Sequence, residues 1–272
     1  MDNNDLSGRQ YDPYGRPIEP SVWGKIKKFL APIGVGIYAV FKFLGPLKFI
    51  LPVVLKTGGT MILTIGIYSV IYGWRFAVGF VVLIFVHECG HLLVARHLGL
   101  KVGAPVFIPF MGALIALKEA PRNAWIEAQV GIGGPILGTV GAGFCELIYL
   151  ATGNPLFRAL ANVGFFLNLF NLAPIGFLDG GRIVTALSPW LWLVGFGVLT
   201  VMLVLSFPHV NFLLVLILIM SLPRLFFLFR RKSEAERRYF EVTPAQRWTM
   251  AVLYFGLIAF LVLGMAATEY AG

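Results

Sequence analysis

His87-Glu88-Cys89-Gly90-His91 sets two imidazoles and a carboxylate within one turn and a half of chain, a combination able to hold and use a metal ion. On a helix, His87 and His91 at i and i+4 share a face about 6 Å apart, so two ring nitrogens can converge on one ion. Imidazole suits Zn2+, and in H-E-x-x-H the intervening glutamate is a base and not a ligand. Glu88, turned about 100° from His87, is placed to take a proton from an attacking water. Cys89, about 200° from His87, faces away and reads as a small packing residue.

The pattern fixes only three residues, so its setting carries the weight. It lies inside the apolar run Phe76 to Leu98, at bilayer depth. There an ionisable side chain costs a few kcal/mol or more unless it is paired, wetted or bound to an ion, which favours a metal site over coincidence. His97, beside Arg96 and Lys101, and His209, after Pro208, read instead as solvated interfacial residues.

A catalytic zinc takes three protein ligands and keeps a fourth place open. The third donor is sought in Asn171-Leu-Ala-Pro-Ile-Gly-Phe-Leu-Asp179-Gly-Gly-Arg182, where an apolar helix is broken at Pro174 and Gly176 before Asp179 is presented. Irregular backbone at membrane depth is tolerated only where protein or a wet cavity surrounds it, which points to Asp179. The competing reading is an ordinary aspartate ending a span beside Arg182.

The elements that must position these groups follow from composition. With 58% hydrophobic residues, 13% charged residues and a mean hydropathy of +0.83 over 272 residues, the chain is too apolar for a soluble domain. The expected fold is an all-α polytopic membrane protein with about seven transmembrane helices, near residues 57–73, 76–97, 126–152, 157–175, 190–206, 210–229 and 248–268. With the N-terminus cytoplasmic, only Arg75 and Arg158 of the 22 lysines and arginines fall outside, which orients the chain N-inside and C-outside. The net charge of +9 is then a match to the anionic inner leaflet of the lipid bilayer and calls for no nucleic-acid partner.

Residues 1–24 read as a disordered polar tail without a signal peptide, residues 25–56 as a basic amphipathic juxtamembrane segment, with a tilted span or hairpin as the alternative, and residues 57–272 as the membrane domain. Gly134-x-x-x-Gly138, in a glycine-rich span, reads as a small-residue surface for close helix packing. Glu146 in the same span has no assigned role. Residues 223–248, with Arg230-Arg231-Lys232 and Arg237-Arg238, read as a solvated cytoplasmic loop. Between the zinc helix and the next span, the apolar runs Ala104 to Pro109 and Ala113 to Leu117 around Phe110-Met111-Gly112 fit either a small membrane-embedded β-hairpin or a buried connecting loop.

His87-Glu88-x-x-His91 together with Leu178-Asp179-Gly180, in this order and in apolar surroundings, resembles the site-2 protease family of intramembrane zinc metalloproteases. Asn171 fits the family's Asn-x-x-Pro spacing with Pro174. The resemblance covers roughly Gly79 to Leu187 and implies a three-helix metalloprotease core with His87, His91 and Asp179 as zinc ligands, Glu88 as catalytic base and Asn171 as a donor to the oxyanion. It further implies a substrate that is a single-span membrane protein, unwound and paired with an edge of the hairpin. No insert of PDZ size separates His91 from Asp179, and Met111-Gly112 stands where members carry Gly-Gly at the turn. The alternatives are an inactive zinc-binding chaperone or scaffold, against which the intact Glu88 argues, and a metal or ion transporter, for which paired broken helices are missing.

Overall fold

A computed structural model describes Tyr14 and residues 47–109, 112–117, 119–207, 209, 212–230 and 233–269. The chain divides into two compact units, Met1–Leu55 and Lys56–Gly272. In the first, the described residues are Tyr14 and the start of a helix, so the expected tail and most of the juxtamembrane segment lie outside the described residues. The second holds everything that follows.

The order is α1 (Leu47–Tyr72), α2 (Trp74–His97), β1 (Val102–Ile108), β2 (Gly112–Leu117), α3 (Ala124–Thr152), α4 (Pro155–Asn171), α5 (Asp179–Leu187), α6 (Leu191–Leu205), α7 (Phe212–Phe229), α8 (Glu234–Tyr239) and α9 (Pro244–Thr268). Among the described residues, α2, α3 and α9 are long and apolar enough to cross a membrane, and shorter apolar helical stretches lie at Thr57–Tyr72, Leu191–Leu205 and Leu214–Phe229. Each expected span falls on a helix. The first helix begins at Leu47 instead of residue 57, and the fourth stops at Asn171, three residues before Pro174, which has no N–H to continue the helix and disfavours helical backbone at Ala173.

Local chemistry sets the breaks. Gly73 between α1 and α2 and Gly153 after α3 take φ of 81° and 67°, a left-handed turn that glycine makes without strain. Asn154 then caps α4 by accepting from Leu156 N, with Pro155 in the first turn, so α3 and α4 reverse across two residues. In the first turn of α4, Arg158 donates to the carbonyls of Ala267 and Glu269 at 3.0 and 3.3 Å, capping the end of α9.

The expected hairpin forms: β1 and β2 pair antiparallel, with Val106 opposite Leu114 and Phe107 opposite Ala113, and Gly112 takes φ of 89° at the turn. Met111 lies outside the described residues. The outer edge of β1 is covered by α1. Thr57 Oγ1 donates to Pro105 O at 2.8 Å, and Phe107 N donates to Thr60 Oγ1 at 3.1 Å. Residues 105 and 107 are the alternate positions whose backbone polar groups face away from β2, and Pro105 lacks an N–H in any case.

The main core joins α3, α4, α5 and α9 through Ala128, Ile132, Phe165, Ile183, Met250 and Leu261. Much of the remaining apolar side-chain surface, such as Val70, Val140, Leu205 and Leu263, is exposed, as a bilayer-facing surface must be.

Candidate metal centre

His87 and His91 occupy the inward face of α2, where glycine lets α3 come close. A Cβ on Gly90 would overlap the Gly133 backbone, and one on Gly134 would overlap the His91 ring. The glycine stripe therefore does more than bring helices together. Gly133 meets the α2 backbone, while Gly134 leaves room for His91, and Gly138 leaves room for the side chain of Asn168 on α4. The Val130 carbonyl of α3 accepts from His91 Nδ1 at 2.8 Å.

Asp179 arrives from the other direction. Leu172 to Leu178 run without regular structure, and α5 begins at Asp179. Gly180 and Gly181 follow because α5 starts hard against that loop: a Cβ on Gly180 would overlap the carbonyls of Leu172 and Ala173, and one on Gly181 the carbonyl of Ile175. The Gly181 carbonyl is in turn held by Trp192 Nε1 at 2.8 Å and by the Arg224 guanidinium at 2.9 Å.

These elements place three donor atoms at the corners of a triangle. His87 Nε2, His91 Nε2 and Asp179 Oδ2 are each 3.1 Å from the other two. All three residues are buried. Ligands about 2.0–2.1 Å from one tetrahedral ion lie roughly 3.3 Å apart, so the spacing fits zinc closely. The hydrogen bonds behind the rings make the same point. His87 Nδ1 faces Asn168 Oδ1 at 2.8 Å and His91 Nδ1 faces the Val130 carbonyl, so each ring, when neutral, carries its proton on Nδ1 and presents a lone pair at Nε2. Two lone pairs and a carboxylate oxygen converging at this distance repel one another unless a cation lies among them.

Glu88 stands beside the triangle. Donor atoms of His87, Glu88 and His91 also fall within 4.8 Å of one another, so a metal set containing Glu88 is geometrically available. Asp179, at 3.1 Å from both rings, is the better third donor, and it leaves Glu88 free for proton transfer. Asn171, the last residue of α4, donates through Nδ2 to Leu167 O at 3.0 Å and lines the same cavity. That cavity, about 440 Å³, is bounded by His87, Glu88, His91 and Asp179 on one side and by apolar residues such as Phe166, Phe170, Ile217 and Met220 on the other. Gly112 and Ala113 of β2 border it. Cys89 is a free, half-buried cysteine apart from the donor set.

Two groups went unread in the sequence. Asn168 is 1% exposed and bonds His87, yet its signal, a lone amide within an apolar span, resembles many packing residues. Arg224 was read with a solvated loop. It is half-buried over the Trp192 ring, pairs with Glu127 at 3.1 Å and holds Gly181, two residues from Asp179. Tyr239 of α8 completes this clamp by donating to Glu127 at 2.8 Å; burial first, and the Glu127 carboxylate second, push its hydroxyl well above the usual range, so it stays a donor. Glu146 keeps one buried carboxylate oxygen without a hydrogen-bond partner among the described residues.

Residues 75–160 match the profile of Peptidase family M50, the site-2 proteases. Over this stretch the chain is similar to the site-2 proteases. Relatives include zinc metalloprotease MJ0392 of Methanocaldococcus jannaschii, 32% identical over 107 residues, covering 37% of this chain and 30% of that protein. The putative zinc metalloprotease Rip3 of Mycobacterium tuberculosis is 30% identical over 141 residues, covering 47% of this chain and 35% of that protein. The probable chloroplastic zinc metalloprotease EGY2 of Arabidopsis thaliana is 29% identical over 150 residues, covering 39% and 26%. The chain thus spans about a third of the length of these relatives. The M50 match contains His87, Glu88 and His91 and stops before Asp179, which the fold itself brings to the histidines.

Proposed function

We propose that this protein is an intramembrane zinc metallopeptidase that cleaves a peptide bond in or near the transmembrane segment of a single-span membrane protein. The observation that carries the reading is the 3.1 Å triangle of His87, His91 and Asp179 beside Glu88 on a cavity enclosed by apolar helices. His87, His91 and Asp179 hold the metal. When bound, Zn2+ polarises the scissile carbonyl and makes water nucleophilic near neutral pH. Glu88 takes the proton of the attacking water and returns it to the leaving amine. Asn171 uses one amide hydrogen on Leu167 O and has a second for the developing oxyanion. The apolar wall excludes bulk water and so strengthens these interactions.

A helical substrate must lose backbone hydrogen bonds before its carbonyl can be reached, and in lipid that loss has to be made good. The β2 edge supplies the replacement, because the β1 edge is taken up by Thr57 and Thr60 whereas β2 borders the cavity at Gly112 and Ala113. The seven apolar helices cross the membrane with the N-terminus cytoplasmic, following the charge bias.

The test is cleavage of transmembrane peptides by purified protein in detergent. Chelator should abolish cleavage and zinc should restore it, while Glu88→Gln should keep its zinc and lose turnover by at least ~100-fold. Asn171→Ala should keep zinc and slow cleavage by on the order of 3 kcal/mol. Cleavage that survives chelation, or a Glu88→Gln protein as fast as the parent, would overturn the reading.

A further inference from the structure

We propose that Asn168 is a positioning residue for the metal centre, fixing the tautomer and angle of His87 from the side opposite the triangle. The inference rests on the metallopeptidase reading and adds to it a residue outside the donor set. Asn168 sits on α4, 81 residues from His87, and is 1% exposed.

Its orientation is determined by chemistry. The Gly164 carbonyl can only accept, and it lies 2.7 Å from one amide atom of Asn168, which must therefore be Nδ2. The other atom, Oδ1, then faces His87 Nδ1 at 2.8 Å and can only accept. A neutral His87 ring must then carry its proton on Nδ1 and direct the Nε2 lone pair at His91 and Asp179. A neutral ring in the opposite tautomer would set two acceptors face to face at 2.8 Å and aim an N–H at the position a cation must take.

Gly138 on α3 shows that the position is built for this side chain. A Cβ there would overlap Oδ1, so the amide fills the notch and cannot swing aside. His91 receives the same service from a different source, the Val130 carbonyl, which no side-chain substitution removes. The two ligands of one helix are thus held unequally: His91 by backbone, His87 by a single replaceable side chain.

The experiment uses the full chain purified in detergent. Zinc dissociation constants are measured by competition with a chromophoric chelator, and Co2+ is substituted so that its visible absorption reports ligand geometry. Asn168→Leu preserves volume and removes the acceptor; it should weaken zinc about 10–100-fold and alter the cobalt spectrum. Asn168→Asp keeps an acceptor toward His87 while losing the donor to Gly164, and should bind zinc within about threefold of the parent with a parent-like spectrum. If Asn168→Leu does not fold, Asn168→Ala serves in its place with the same expected loss.

An acceptor-free variant that binds zinc within twofold and keeps the parent spectrum would make Asn168 a packing residue and overturn the inference. So would an aspartate variant as weak as the leucine one. A parent protein that binds neither Zn2+ nor Co2+ would instead overturn the metallopeptidase reading, and this inference with it.

Discussion

Helices α2 and α9 are nearly matched in length and apolar character, 24 against 25 residues, yet 44% of the apolar window of α2 is buried within the protein and 17% of that of α9. Hydrophobicity does not separate them, since lipid tails are as apolar as leucine. What separates them is what lets another backbone or polar group come near. α2 meets α3 through Gly90 and Gly133 and presents two histidines to a prepared hollow at Gly134. α9 touches the core through Met250, Leu261 and the Tyr254 hydroxyl, which donates to the Leu172 carbonyl at 2.6 Å, its further polar contacts lying at its two ends through Arg247, Asn162 and Arg158, and its Gly256 has nothing within 4 Å of a Cβ. Between these two helices, depth of burial follows the small residues at the contact more than it follows hydropathy.

The largest effect that tests this contrast is Gly134→Ala, whose added methyl collides with the His91 ring. Bound zinc, read by elemental analysis, should fall more than ~10-fold, the range expected when a ligand loses its orientation. Next is Gly90→Ala. Its methyl meets backbone and not a side chain that could turn away, so the thermal stability of the purified protein should drop by about 1–3 kcal/mol. Unchanged melting would mean that α2 and α3 can part freely. The smallest effects belong to α9. Tyr254→Phe should cost about 1 kcal/mol for one hydrogen bond, with zinc content unaltered. Gly256→Ala, pointing at lipid, should stay within about 0.5 kcal/mol of the parent. An α9 glycine as costly as Gly90 would erase the distinction.

How far the sequence could be read depended on distance along the chain. The hairpin was legible because two apolar runs flank a short turn with a glycine able to take φ of 89°. The break around Pro174 was legible, although the helix stops at Asn171, four residues before the expected end of that span. Gly134-x-x-x-Gly138 was legible as a close-contact surface, but its occupants were not, since a glycine pattern states that something approaches and not what. Arg224 passed for a loop cation because its partners Gly181 and Glu127 lie 43 and 97 residues away.

The sequence by itself determined that two imidazoles share one helical face with a carboxylate beside them, because 3.6 residues per turn is a local property of the chain. It determined too that this face lies in a membrane-depth helix, because composition is enough for that. Only the tertiary structure decided that Asp179 Oδ2 stands 3.1 Å from both rings across 92 and 88 residues, and that Asn168 stands behind His87. Those distances depend on α3 approaching through its glycines and on α5 starting against its own preceding loop. Such contacts are set by the packing of one helix on another, which no local spacing encodes.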